Sequence, residues 1–217
     1  MDWQSKNCSW IQASVFKCRD RIRGTNAWGS ALHNGKYKTN EVYNDLRGNR
    51  EQVTWKYVLH RNFAKPRAKF ILWLSLLDHL STKDRLLKHG STVDVGCIFC
   101  REMETLHHLF FECQITNQIW RLVLHHIGYD RNPRGWTQEK VWLNSETRKQ
   151  GWLRELLKIA IAECVYGIWR HRNVVIFNQT PVDPHIWKAI VHDVLIRGSF
   201  QKSIRSHVNV ETMSISL

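Results

Sequence analysis

The sequence lacks the acidic pairs that nucleotidyl-transfer enzymes use. No two Asp or Glu residues are adjacent in its 217 residues, so it has no Tyr-x-Asp-Asp element to hold the two metal ions of a polymerase. The acidic residues are also too scattered to indicate a ribonuclease H or an endonuclease. A glycine-rich phosphate loop and a Gly-x-Ser-x-Gly elbow are absent. The sequence does not exclude a Ser/His/Asp triad whose residues lie far apart in the chain. We therefore expect no enzymatic activity and no small-molecule substrate.

The sequence also has little that could enter a membrane. Its longest apolar stretch, residues 70–77, is far shorter than the roughly 20 residues of a spanning helix. The first residues lack the apolar run of a secretory signal. We expect an intracellular protein, in the nucleus or the cytoplasm, with reduced cysteines and no membrane partner.

Positive charge is what the chain has in excess. Thirty-two Lys and Arg against 19 Asp and Glu give a formal net charge of +13, which favours a polyanionic partner such as RNA or DNA. Residues 55–90 hold eight basic and two acidic residues, a local charge of +6. We call the eight the basic strip and predict that they bind nucleic acid: Lys56, Arg61, Lys65, Arg67, Lys69, Lys83, Arg85 and Lys88.

The most specific signal is a C-x2-C-x7-H-x4-C pattern formed by Cys97, Cys100, His108 and Cys113. Three thiolates and one imidazole are a donor set of structural zinc, and four protein ligands leave no open position for catalysis. We predict one structural Zn²⁺. Buried free cysteines or a Cys97/Cys100 redox pair would be the alternatives.

Spacing alone does not choose between the adjacent histidines. On a helix the ring of His107 would point about 100° away from that of His108, so both cannot easily bind one ion. The step from His108 to Cys113 corresponds to about 140° of helical rotation. A helix over these residues must therefore distort or end between the two ligands.

The sequence around this pattern resembles a known family. Glu104-Thr-Leu-His-His-Leu-Phe-Phe-Glu-Cys113, followed by Trp120, is similar to the signature E-T-x-x-H-L-F-x-x-C … W. This signature belongs to the reverse-transcriptase zinc-binding domain of plant LINE-type (non-LTR) retrotransposon polyproteins. Weaker similarity extends over residues 37–177: Tyr37, Tyr43, Trp55, Pro66-Arg67-Ala68-Lys69-Phe70, Trp73, residues 80–86, Gly90, residues 168–173 and Phe177.

The resemblance implies a histidine ligand at the position before Leu-Phe, which is His108. It also implies a non-catalytic module that helps to position template RNA or target DNA, with other retroelement polypeptides as possible partners. Alternatively, the chain is a structural or protein-interaction module, or the remnant of a decayed element, and does not bind nucleic acid itself.

Hydrophobic periodicity predicts a mainly α fold: a small helical domain around the Cys3His zinc site, followed by further C-terminal helices. We expect helices near residues 9–21, 40–47, 70–77, 82–88, 115–123, 152–173 and 184–195. The predicted organisation is an N-terminal helix and linker (1–36), the zinc-binding domain (37–128), a linker (129–150), a C-terminal helical region (151–200) and a mobile tail (201–217).

The chain has eleven tryptophans, which could pack in a core or stack on unpaired bases. Trp73, Trp120 and Trp169 lie in apolar helical patterns, so we assign them to the core. The less regular surroundings of three others make them candidates for base stacking: Trp28, Trp55 and Trp136.

Overall fold

The computed structural model describes residues 32–33, 36–37, 43, 53–92 and 94–208. The chain divides into two compact units, Met1–Gln52 and Val53–Leu217. In the first unit, strands β1 (Leu32–His33) and β2 (Lys36–Tyr37) pair antiparallel. Tyr43 is helical, whereas the helix expected near residues 9–21, and most of that near 40–47, lie outside the described residues.

The described part of the second unit is built from helices, which confirms the mainly α fold class. The helices are α1 (Lys56–Leu59), α2 (Pro66–Leu76), α3 (Lys83–Lys88), α4 (Gln114–His126), α5 (Trp136–Thr147), α6 (Trp152–Asn178), α7 (Ile186–Ser199) and α8 (Lys202–Arg205). Within the described ranges, no helix has the length and apolar character that crossing a membrane requires.

Helix α2 begins with Pro66, which is well suited to a first turn because the missing N–H would have had no helical partner. Ala68 and Leu72 are fully buried on one face. Phe70 and Trp73 are 54% and 41% exposed. The assignment of Trp73 to the core is therefore wrong: only one face of the helix is covered.

Helix α6 is the longest helix in the described part of the chain, and its buried residues include Cys164. Helix α7 packs closely on it at Gly167, where an added Cβ would lie 2.6 Å from Ile190 Cγ1. Gly167 thus permits a separation between the two helices that a larger residue would prevent. Helix α6 also packs against α2, α4, α5 and α8.

The segment expected to be a linker, residues 129–150, instead contains helix α5. Trp136 and Leu143 are buried there, and so are the carboxylates of Glu139 and Glu146. Arg131 pairs with Glu139, and Arg154 pairs with Glu146. These acidic residues can be buried because they are paired. Sequence alone shows only that they are polar, so it does not suggest a packed helix here.

The segment expected to be a mobile tail also begins with ordered structure. Helix α8 buries Ile204 completely, and Val208 is buried after it. A single apolar residue per turn gives little periodicity, which is why sequence did not indicate this helix. Residues 209–217 lie outside the described residues.

Candidate metal centre

Cys97 and Cys100 lie in a tight hairpin. Gly96 bridges to Met103, and the Cys97 N–H donates to Glu102 O at 2.6 Å. The turn brings backbone N–H groups to both sulfurs: those of Phe99 and Cys100 face Cys97, and that of Glu102 faces Cys100. Such donors stabilise thiolates, and thiolates are the form that binds a metal.

The chain distorts between His108 and Cys113, as the rotation argument predicts. Phe110 leaves the helical region (φ −104°, ψ 89°), and Phe111 adopts φ 77°. A positive φ is strained for a residue with a Cβ, and burial compensates it here, since the Phe111 ring stacks on Trp120 at 5.4 Å. The kink turns Cys113 back towards the hairpin.

Cys113 immediately precedes helix α4 and occupies its N-cap position. The pKa of Cys113 is lowered by a hydrogen bond from the Cys97 thiol and by the backbone N–H groups of Thr116 and Ile115, which face its sulfur. The positive end of the helix and its first free N–H groups thus favour a thiolate at this ligand.

The four predicted ligands form one cluster, in which the donor atoms of Cys97, Cys100, His108 and Cys113 lie within 4.8 Å of one another. The Cys100 sulfur is 3.1 Å from His108 Nε2. In a tetrahedral zinc site, bonds of about 2.0–2.3 Å place ligand atoms about 3.3–3.8 Å apart. The cluster fits zinc if the distances between donor atoms change by about 1 Å or less, and its donor set is one that structural zinc prefers.

The adjacent histidines face different surroundings. His108 points Nε2 into the cluster and its Nδ1 lies 3.5 Å from the Glu102 carboxylate, an arrangement that orients many metal-bound imidazoles. His107 is 43% exposed and its nitrogens face Asp78 and Glu112, at 3.8 and 4.0 Å. The geometry therefore favours His108 as the ligand.

Without a cation, the three sulfurs do not ionise together. A hydrogen bond from the Cys97 thiol lowers the pKa of Cys113 to about 5, and the same contact raises the pKa of Cys97. Burial raises the pKa of Cys100. A divalent cation at the centre would stabilise all three thiolates, so this cluster is chemically suited to one.

A buried ion pair joins the metal loop, residues 97–113, to helix α6. Arg172 donates to both carboxylate oxygens of Glu104, at 2.6 and 3.3 Å, and both side chains are almost completely buried. Glu104 also accepts the Lys83 N–H at 3.0 Å. The only sequence signal was that both residues lie in segments resembling the family.

The cluster lies within a segment that matches a known protein family. Residues 37–120 match the family "zinc-binding in reverse transcriptase". The matched segment contains all four clustered ligands and ends at Trp120, which confirms the family resemblance. Plant LINE origin stays a prediction. Comparisons with curated proteins and with solved structures gave no significant match.

The basic strip of this zinc-binding segment does not have a uniform environment. Lys83 is buried and donates to Gly96 O at 2.6 Å, so it supports the metal loop. Lys65 pairs with Asp193 at 2.5 Å, and Lys88 lies 3.8 Å from Asp84. Arg61 and Arg67 are exposed, whereas three members are partly buried: Lys56, Lys69 and Arg85.

The tryptophans proposed for base stacking are not placed for that role where the structure describes them. Trp136 is fully buried beside Phe110 and Phe111. Trp55 is partly buried against the core. Trp28 lies outside the described residues. Among the tryptophans that the structure describes, the most exposed is instead Trp73, at 41%, which sequence had assigned to the core.

Proposed function

We propose that this chain is a non-catalytic module of a retrotransposon reverse transcriptase, stabilised by one zinc ion, that contacts template RNA or target DNA. The family match supports the association with reverse transcription. The closed set of four donors supports a structural role for the ion, since no ligand position is left for substrate. The ion contributes to function by holding the surrounding helices in place.

Unpaired positive charge carries the nucleic-acid part of the proposal. Arg61, Arg67 and Lys69 form no ion pair with any residue in the described part of the chain. The metal loop itself is acidic, with Arg101 against three glutamates between Cys97 and Cys113. Phosphate contacts should therefore lie beside the metal loop, on the members of the basic strip that form no ion pair.

The salt dependence of binding tests this proposal. Each phosphate contact contributes about −0.7 to −0.9 to the slope of log affinity against log salt. The double variant Arg67→Ala/Lys69→Ala should flatten this slope by about 1.5 and weaken all base sequences similarly, because phosphate contacts carry no base information. Fluorescence anisotropy of labelled oligonucleotides between low and physiological salt measures both effects.

A matched control removes the same charge elsewhere. Arg121→Ala/Lys202→Ala, on helices α4 and α8, should leave the slope close to that of the unmodified protein. If both double variants flatten the slope equally, the effect is one of net charge and the basic strip is not the contact surface. Absence of binding at low salt would favour the structural or protein-interaction alternative.

A further inference from the structure

Helix α2 presents two aromatic rings to solvent. Phe70 is 54% and Trp73 is 41% exposed, and their ring centroids lie 5.9 Å apart. Both are large enough to have been buried at a considerable gain in free energy, yet the fold leaves them outside the core. A pair of neighbouring exposed rings is an unusual use of aromatic residues and indicates a partner.

The aromatic surface continues into a groove between α2 and α6. The two segments run side by side in the same direction, since Asn62 contacts Lys158 O and Lys65 N contacts the Glu163 carboxylate. Further along, Ile71 of α2 lines a groove of about 350 Å³ with α6 residues that include Tyr166, Trp169, Arg170 and Phe177. Phe177 is 77% exposed.

Helical geometry makes these features contiguous. At 100° per residue, the order around the outer face of α2 is Lys69, Trp73, Pro66, Phe70, Leu74, Arg67 and Ile71. The exposed ring pair therefore lies between two cations, and Ile71 connects this face to the groove that Arg170 lines. We call the surface formed by these α2 residues and the groove the aromatic platform.

The charges on the aromatic platform decide the class of partner. Arg67, Lys69 and Arg170 form no ion pair with any other described residue, so they are available to an anion. Aromatic rings flanked by free cations match a single-stranded nucleic acid, whose bases can stack while its phosphates are neutralised. A duplex keeps its bases stacked internally, so it could use the cations but not the rings.

We propose that the aromatic platform binds single-stranded RNA or DNA, with unpaired bases stacking on Phe70 and Trp73 and the phosphates following Arg67, Lys69 and Arg170. The proposal rests on the nucleic-acid function proposed above and specifies the form of the ligand. It assigns base stacking to residues outside the metal loop. Zinc therefore has an indirect role, through the fold.

The test compares ring variants on single-stranded and duplex probes of about 12 nucleotides, within the site size usual for such surfaces. Phe70→Ala and Trp73→Ala should each weaken single-strand binding about tenfold, leave duplex binding unchanged, and leave the salt slope unchanged. Trp73→Phe should retain most of the affinity. Phe200→Ala, which removes a ring that is 64% exposed on another part of the unit, is the control and should have no effect.

An abasic single strand of the same length separates stacking from phosphate contact. It should bind the unmodified protein about as weakly as the intact strand binds the Phe70→Ala/Trp73→Ala variant. If the abasic strand binds as tightly as the intact one, or the ring variants weaken duplex binding equally, the stacking proposal is overturned. If only Arg67→Ala/Lys69→Ala has an effect, the nucleic-acid function stands and the stacking fails. No binding to any probe would overturn both.

Discussion

His107 and His108 are neighbours with different roles in the structure. His108 places Nε2 3.1 Å from the Cys100 sulfur, whereas His107 faces Asp78 and Glu112 outside the metal cluster. We expect His108→Ala to reduce zinc bound per chain sharply, and His107→Ala to leave it unchanged. Elemental analysis of protein purified without added metal measures both, and should give about one zinc for the unmodified chain.

Replacing zinc with cobalt tests directly which histidine coordinates the ion. Co²⁺ in a Cys3His site reports its coordination in the visible absorption spectrum, so His107→Ala should retain the spectrum of the unmodified protein. Loss of zinc in His107→Ala with retention in His108→Ala would move the ligand to the neighbouring residue. Full zinc content in both variants would mean that neither histidine binds the ion.

Single residues differ in how far sequence can assign them. The four clustered residues could be found because their pattern spans only seventeen residues and its spacing reflects local geometry. Lys65 and Lys83 could not be separated from the exposed cations, since their environments depend on distant residues. Asp193 neutralises Lys65, and Gly96 O accepts from Lys83.

The helices also differ in how far they can be predicted from the sequence. The helical distortion before Cys113 followed from the angle between two ligands, and the structure has it at Phe110 and Phe111. Helix α5 was hidden because Glu139 is buried, held by Arg131 and the Trp120 indole N–H. Sequence indicates an apolar face reliably, but it does not reveal a face that is polar and buried through pairing.

The Glu104–Arg172 pair gives a prediction for how the metal loop is attached to helix α6. Glu104→Gln leaves the Arg172 charge buried without its carboxylate, which should lower the free energy of unfolding by about 3–5 kcal/mol. The double variant Glu104→Leu/Arg172→Met removes both charges and should be more stable than Glu104→Gln. Urea denaturation followed by circular dichroism measures these changes.

The comparison pair for this prediction is Asp84 and Lys88, which lie 3.8 Å apart with the lysine exposed. Lys88→Met should change stability by at most about 1 kcal/mol, as is usual for an exposed pair. If Glu104→Gln costs no more than Lys88→Met, the buried pair does not hold the loop to the helix. A double variant less stable than Glu104→Gln would show that the polar contacts matter more than the charge balance.

Across residues 53–208 the metal loop and the helices share one core. Buried side chains continue from Leu72 on α2 through Leu109, Phe110 and Trp120 to Val165 on α6. Sequence suggested a zinc domain separated by a linker from further helices, because periodicity shows which residues are apolar but not which elements pack together. In the structure, helix α5 occupies part of the segment assigned to the linker and contacts α6.

A shared core predicts that removing zinc affects more than the metal loop. Structural zinc contributes free energy on the order of 10 kcal/mol in small modules. Chelation should therefore disorder residues 97–120. It should also lower the midpoint temperature of the remaining helices, and these helices should unfold in one cooperative transition. Hydrogen exchange should increase in the loop and around Arg172 of α6, where the Glu104 contact would be lost.

Cysteine variants provide the matched controls for zinc removal. Cys97→Ser and Cys113→Ser should reproduce the effect of the chelator, while Cys8→Ser should leave the midpoint unchanged, because Cys8 lies outside the ligand pattern. Two separate transitions on chelation, with α6 and α7 retaining their original midpoint, would show that the loop unfolds independently. A loop that unfolds alone would leave the aromatic platform intact, so single-strand binding measured with and without chelator decides whether zinc supports that surface through the common core.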